Sequence, residues 1–405
     1  MSDADARSVI PTMKSSIIKY FNGLCFARDM ERPDFVHLLL DPHKVETVDD
    51  LGPRALRLLN DKNIPLQLGT RDVELTFEKL SLKHLIAEYL GIPGALVTFG
   101  QTELVGHVVI VELHDALLPY KETIGRIIIE KKKPQITAVM NVRGRERSEY
   151  RIFPMEVLAK ETEDTSLVAE VEAIGCRFRV DFGTVFWNPR RHDQHEAISS
   201  AVGANDVMYD VFAGVGPFCI PAAKRGCRVL ANDFNPDCTR CLRENALIND
   251  VQSRFQCFQQ DGLHFIRHTI KEDIISEWRK QDRNKNFHIV MNLPGSSIEF
   301  IPAFRDWVAD RAPEIRSLDF VTMPYIHLYA FIPRMNSRTN QSPYEESKCK
   351  RMLIKMAEYH VGPISEITEC RSVTDQGVTR IHRLSFRLPA AGVGLAGMTE
   401  NDQNK

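Results

Sequence analysis

Residues 207–217 read Val-Met-Tyr-Asp-Val-Phe-Ala-Gly-Val-Gly-Pro: a mostly apolar strand that runs into two glycines, with a helical pattern from Phe218 to Arg225 behind them. Glycines let a backbone approach a ligand closely. Only Gly214 and Gly216 stand here, not the three glycines of a dinucleotide fingerprint, so a nucleoside cofactor fits better than a pyrophosphate. The next apolar strand, 228–231, ends at Asn232-Asp233, the spacing at which an acid grips ribose hydroxyls. A third, 254–259, ends at Asp261-Gly262 and can offer a carboxylate to an adenine amine. A fourth, 288–291, delivers Asn292-Leu293-Pro294 to the same edge, where ligands of such sheets bind. The Asn292 amide carries both donor and acceptor and can hold a guanine edge, while Pro294 stiffens the tip. A turn glycine or a capping aspartate explains each residue separately; the ordered set points to a cofactor site.

Outward from this block, short strands alternate with amphipathic helices from Val207 onward, which predicts a mostly parallel sheet covered on both faces. Four segments are expected: a small module over 1–80, a β-rich middle domain over 81–185, the cofactor domain over 186–390 and a flexible tail over 391–405. In the first two the pattern gives helices near Ala55–Asn60 and Leu80–Leu90, and strands at His107–Leu113, Arg126–Glu130 and Gln135–Val142. Glu277–Asn286 reads as a charged surface loop.

At 405 residues and 43% hydrophobic content the chain exceeds what one core needs. No apolar run reaches the roughly 18 residues that span a bilayer, so no membrane partner is expected, and a cytoplasmic or nuclear address follows, with a mitochondrial pool left open. Nine scattered cysteines fit a reducing compartment, and the lone CxxC of Cys238 and Cys241 lacks a second ligand pair, so no metal is expected. The net charge of −2 announces no nucleic-acid binder by itself. Charge is clustered, however: Lys121–Arg151 holds nine Lys/Arg against four Glu, and Arg334–Lys355 six against two. Two such runs flanking a cofactor fold favour a phosphate-backbone surface over an ordinary solvated face.

Val105–Lys132 with Lys121 in its centre, YRIFPMEVLAKE around Arg151, VFWNPRRHDQHEAI, the block Asp210–Pro236, MNLPGSSIEF and PYIHLYAF together resemble the eukaryotic and archaeal tRNA (guanine-N1)-methyltransferases that act at guanosine 37. The resemblance covers roughly residues 105–390. It implies an α/β architecture: a Rossmann-like class I methyltransferase domain, a β-rich RNA-binding middle domain and a small N-terminal module in which tRNA recognition is suspected. It implies S-adenosylmethionine as cofactor and tRNA as partner, with a monomer expected. Arg151 falls where the family stabilises negative charge on the guanine. His195, Asp233, Phe234, Asp261, Gly262 and Asn292 fall on its cofactor-contacting positions, and Asp210, Gly214 and Gly216 of the first tip are assigned with them. Asn292 and Pro294 match its catalytic NLP motif.

One departure bears on chemistry. After NPR the family pattern reads Leu-Ser-Thr-Glu-His, and this chain reads Arg191-His192-Asp193-Gln194-His195. Guanine N1 carries a proton that must leave, and an amide cannot accept it. Either Asp193 or Glu196 supplies the carboxylate, or Gln194 orients the base while water takes the proton, or activity is lost. Glu112-Leu113-His114, where relatives tend to have Asn-Leu-Arg, is a smaller departure. Three rival readings stand beside the methyltransferase: an aminocarboxypropyl transferase of wybutosine synthesis, a methyltransferase acting on ribosomal RNA or protein, and a tRNA-binding relative without catalysis.

Overall fold

The computed structural model describes residues 1–13, 16–17, 26–29, 32, 34–64, 66–70, 76–142, 155–185, 187, 192–333, 343–376 and 379–397. The chain divides into two compact units, residues 1–142 with 156–165, and residues 143–155 with 166–405. No described helix is long and apolar enough to cross a membrane.

The first unit opens with helix α1 (Asp3–Val9), the antiparallel pair β1 (Phe26–Arg28) and β2 (Val36–Leu38), and helix α2 (Pro53–Asp61). Val9, Met13, Leu51, Ala55 and Leu59 form its small core. Helix α3 (Leu82–Leu90), capped by the Ser81 hydroxyl, leads into a four-stranded sheet of β3 (Phe99–Val105), β4 (Val108–Leu113), β5 (Ala138–Val142) and β6 (Met155–Lys160), in that order. Between β4 and β5 lies helix α4 (Lys121–Lys132). It overturns the strand expected at Arg126–Glu130. Ile127–Ile129 favour a strand locally, but Ile124, Ile127 and Ile128 recur at helical spacing and are buried, and Lys131 and Lys132 suit a helix C-terminus.

The second unit begins with the antiparallel hairpin β7 (Val168–Ala173) and β8 (Cys176–Asp181). The expected boundary at 185/186 therefore moves upstream, because this hairpin is stitched to the later helix α7 (Pro236–Ile248). Asn245 and Asn249 each accept an N–H from β8 and donate back to the same residue's carbonyl, Arg179 and Arg177 respectively. Then follow α5 (His192–Ala201), β9 (Val207–Asp210), α6 (Cys219–Lys224), β10 (Arg228–Asn232), α7, β11 (Phe255–Phe258), the short turn α8 (Gly262–His264), a π-helical stretch Phe265–Ile270, α9 (Lys271–Arg279) and β12 (Phe287–Met291). After α10 (Ala312–Arg316) come β13 (Tyr325–Pro333), α11 (Pro343–Val361), β14 (Ile367–Gln376) and β15 (Thr379–Arg387).

Seven of these strands make one sheet, ordered β11-β10-β9-β12-β13-β15-β14. The first five are mutually parallel and β15 runs antiparallel to both its neighbours. Parallel strands buried on both faces need continuous apolar runs, and all of Val207–Asp210 and Phe287–Met291 are buried. One face packs on Phe265, Ile274, Trp278, Phe304, Trp307 and Leu353, each such side chain contributing about 1.5–3 kcal/mol of transfer free energy.

Two expectations change. Glu277 is not in a surface loop: it is 5% exposed in α9 and receives hydrogen bonds from Arg228, Lys280 and Lys285. The tail expected from residue 391 is packed through residue 397, with Val393 and Leu395 fully buried; residues 398–405 lie outside the described residues.

Candidate active site

The polar residues read from the sequence gather at the carboxyl ends of β9, β10, β11 and β12. One buried side chain binds three of these tips. Asn232, 1% exposed, donates from Nδ2 to the carbonyls of Val211 and Gln260 at 3.1 Å each, and its Oδ1 accepts the Gln260 N–H at 2.9 Å. The sequence marks Asn232 only as a neighbour of the acid.

Beyond β9 the chain turns through Gly214 at φ 57° and Gly216 at φ 98°, conformations that side chains resist. A Cβ on Gly216 would collide with Ile220 and Leu242 at 2.6 and 2.8 Å, whereas one on Gly214 would meet nothing within 4 Å. The Gly214 backbone thus faces open space. Its N–H donates to Asp233 Oδ2 at 2.8 Å, and the Asn235 N–H to Oδ1 at 2.9 Å, so Asp233 fixes the glycine turn while each oxygen keeps a lone pair. Burial pushes the Asp233 carboxyl above the ordinary range, against the pull of the Asn235 and Gly214 amides. Phe234, beside it, is half exposed.

Asp210 is fully buried; neither oxygen makes a hydrogen bond of full geometry, and only the Cys219 thiol and the Phe212 N–H come near enough to ease its charge. Burial first, then the nearby Asp233 charge, push its pKa up to about 8. Burial thus favours the protonated form of Asp210, and a cation bound nearby would favour the ionised one.

Asp261 caps α8: its Oδ1 accepts from Leu263 and His264 N–H at 2.9 and 3.2 Å, and Oδ2 makes no hydrogen bond among the described residues. Gly262 answers to packing, since a Cβ there would press on Phe300 and Phe212 at 2.8 and 2.9 Å. Those rings meet edge to face at 4.8 Å.

At the tip of β12 the Ser297 hydroxyl accepts from Leu293 N–H at 2.8 Å and donates to the Met291 carbonyl at 2.9 Å. The Pro294 carbonyl accepts from Phe331 N–H at 2.9 Å. The Asn-Leu-Pro turn is held from two sides, and the Asn292 Oδ1 it presents is buried without a partner. Such an acceptor is costly unless a ligand fills it.

His195 is 6% exposed and meets Phe218, just beyond the glycine turn, edge to face at 4.6 Å. The Trp187 ring is 6.4 Å from that of His195, its indole Nε1 buried without a partner. On α5, at about 100° per residue, Gln194 stands a quarter-turn from His195 and Asp193 almost opposite. Gln194 is half-buried, and Asp193 and Glu196 are exposed. Arg151 lies outside the described residues.

With this geometry in place, residues 169–313 match the family model described as the TRM5/TYW2 methyltransferase domain, and residues 102–162 match the TYW2 N-terminal domain. The chain is 36% identical over 324 residues to the tRNA (guanine(37)-N(1))-methyltransferase of Danio rerio, covering 80% of this chain and 65% of that protein. It is 33% identical over 340 residues to that of Drosophila melanogaster, covering 83% and 71%. Among vertebrate relatives the chain spans less than two thirds of their length, 58% for the Xenopus tropicalis protein. In fold it is similar to aTrm5 in a complex with tRNALeu, with a TM-score of 0.54, 20% identity, and coverage of 96% of this chain and 98% of that one. Trm5b from Pyrococcus abyssi gives a TM-score of 0.53 at 18% identity, covering 95% and 96%.

Proposed function

The chain belongs to the tRNA (guanine(37)-N(1))-methyltransferase family, and on that premise we propose that it transfers a methyl group from S-adenosylmethionine to N1 of guanosine 37 in tRNA. The observation that carries this reading is the unpartnered Asn292 Oδ1 on a turn pinned by Ser297, at the same sheet edge as an open glycine turn and two carboxylates.

The residues present fit the cofactor. The bare Gly214 backbone leaves room for it, Asp233 keeps lone pairs for ribose hydroxyls, Asp261 Oδ2 is open to an adenine amine, and Phe234 offers an exposed ring. When bound, S-adenosylmethionine supplies an electrophilic methyl on a sulfonium. The protein's task is placement. Asn292 Oδ1 accepts a hydrogen from the Watson–Crick edge of an extruded guanine and so fixes its N1. Gln194, half-buried, can orient the base but cannot accept the N1 proton. Asp193 points away from the His195 side of α5, so Glu196, one residue beyond His195, or water takes the proton, and Arg151 is assigned to stabilise the resulting anion.

The reading extends to a cytoplasmic or nuclear monomer; nine cysteines scattered without a framework support a reducing compartment. A second reading, transfer of an aminocarboxypropyl group, is favoured by the match of residues 102–162 alone. Labelled S-adenosylmethionine offered with unmodified tRNA bearing G37 or A37 tests both. Methylation of the first only is expected, and the mass of the nucleoside separates methyl from aminocarboxypropyl. Binding without transfer to either tRNA would replace the proposal with an inactive binder.

A further inference from the structure

Phe331 lies near the end of β13, at the edge where β12 presents Asn292. The two strands are parallel, with Met291 beside Leu328, so continuing the register sets Asn292 beside Tyr329 and Pro294 beside Phe331. The hydrogen bond from Phe331 N–H to the Pro294 carbonyl, at 2.9 Å, shows that this pairing continues past the strand end. Side chains of β13 alternate: Ile326, Leu328, Ala330 and Ile332 join the large core, which puts His327, Tyr329 and Phe331 on the opposite face. His327 and Tyr329 are 6% and 1% exposed, yet Phe331 is 38% exposed.

The turn that Phe331 adjoins lacks a side chain where one would shield it. A Cβ on Gly295 would stand 3.9 Å from two ring carbons of Phe331, ordinary contact, so at glycine the ring borders the Asn-Leu-Pro turn directly. An unpartnered amide oxygen and a half-open aromatic ring thus lie on one edge and one face of adjacent strands. The first suits the polar rim of a planar base, and the second suits its π face. An extruded base loses its stacking neighbours, and a protein ring restores part of that loss without distinguishing one base from another.

We propose that Phe331 is the platform on which the extruded guanine stacks while Asn292 reads its edge, an assignment that rests on the guanosine-37 reading above. The division of labour is definite: Asn292 selects guanine and aligns N1, and Phe331 holds the base plane against whichever purine enters.

Two variants of the full chain test this. Phe331→Ala is expected to lower kcat/KM for G37 tRNA by about 10- to 100-fold, the range that stacking on an aromatic gives. Its Kd for S-adenosylmethionine and for tRNA abasic at position 37 should stay unchanged. Phe331→Trp is expected to retain activity, and its added emission, taken as the difference from the parent with Trp187, Trp278 and Trp307, should be quenched by G37 tRNA and not by the abasic tRNA. A merely structural ring would show the same emission with both. Parental turnover retained by Phe331→Ala, or emission blind to the base, would overturn the stacking role and leave the methyltransferase reading standing. A parent protein that transfers nothing to G37 tRNA would overturn both.

Discussion

The same strands that carry the site at their carboxyl ends carry a second polar cluster at their amino ends, and the two ends are built on opposite terms. At the amino end, Asp206 accepts N–H bonds from Gly203 and Asn286 at 2.7 and 2.9 Å and stands 3.4 Å from His288. His288 contacts His327 at 3.1 Å, and His327 contacts the Ser385 hydroxyl at 2.9 Å. Beside this row Arg228 pairs with Asp273 and Glu277, and Tyr209 donates to Asp273 at 2.7 Å. Charges there are neutralised internally, although His288 Nε2, facing Asp206, makes no hydrogen bond of full geometry. At the carboxyl end the charge beside Asp210 is another carboxylate, Asp233, and the Asn292 oxygen has no partner. Buried polar groups cost stability unless partnered, so the end that leaves them open is the end shaped for a ligand.

The sharpest way to break this contrast is to titrate Asp210. Its folded pKa of about 8 lies above the ordinary 3.8. Between those values the unfolded chain is ionised and the folded one is protonated, so stability falls as pH rises through that window. Asp210→Asn removes the penalty. From pH 5 to pH 8 the unliganded parent should lose roughly 3–4 kcal/mol relative to this variant, measured by urea unfolding; parallel pH curves would place Asp210 outside the contrast.

Asn292→Ala should raise the barrier by about 3 kcal/mol, on the scale of losing one preorganised donor or acceptor, and leave tRNA affinity near the parental value. Steady-state kinetics beside equilibrium binding decide it: equal losses in turnover and affinity contradict an orienting role.

Asp206 gives the opposite result. Although burial pushes it upward, the His288 side chain and the Asn286 and Gly203 amides bring its pKa down to about 2. Its contribution is present above the unfolded value and is lost as pH falls through about 4 to about 2. Asp206→Asn should cost about 2 kcal/mol at pH 7 with kcat unchanged at 25 °C, and its thermal melts should vary less than the parent's over that acid window. A variant as stable as the parent but slow in turnover would reverse the two ends.

Smallest is Ser297→Ala, which frees the Leu293 N–H and the Met291 carbonyl. It should lower stability by about 1 kcal/mol and kcat by a few-fold, with KM for the cofactor unaltered; an unchanged kcat would show that Pro294 and the Phe331 backbone suffice to hold the turn.

The parallel sheet and the strand-tip residues were legible because each signal is local: an apolar run, then a glycine or an acid within a few residues. Asp233, Asp261 and Asn292 all come to the edge that such reading assigns. Non-local meaning stayed hidden. Asn232 matters because β11 pairs beside β10, and Phe331 because β13, some forty residues after Asn292, lies against β12. Gly262 looks like a turn glycine and is a packing glycine, which no spacing reveals. The isoleucine run of α4 misled for the converse reason: strand preference is weak, and burial on one helical face overrides it.

Residues 391–397 have a consequence for the order of events during synthesis. Val393 and Leu395 enter the core with Trp307, Val308 and Val361, and Gly392 and Gly394 press so closely on Val361 and Ala309 that a Cβ on either would overlap backbone atoms. Every strand of the seven-stranded sheet is made before this stretch. A nascent chain can pair its strands, yet it keeps an apolar gap between α10 and α11 until the last of these residues leaves the ribosome. Between the end of β15 and that moment the domain offers this apolar surface to chaperones, and a premature stop codon inside 391–395 would prolong that exposure for the life of the protein.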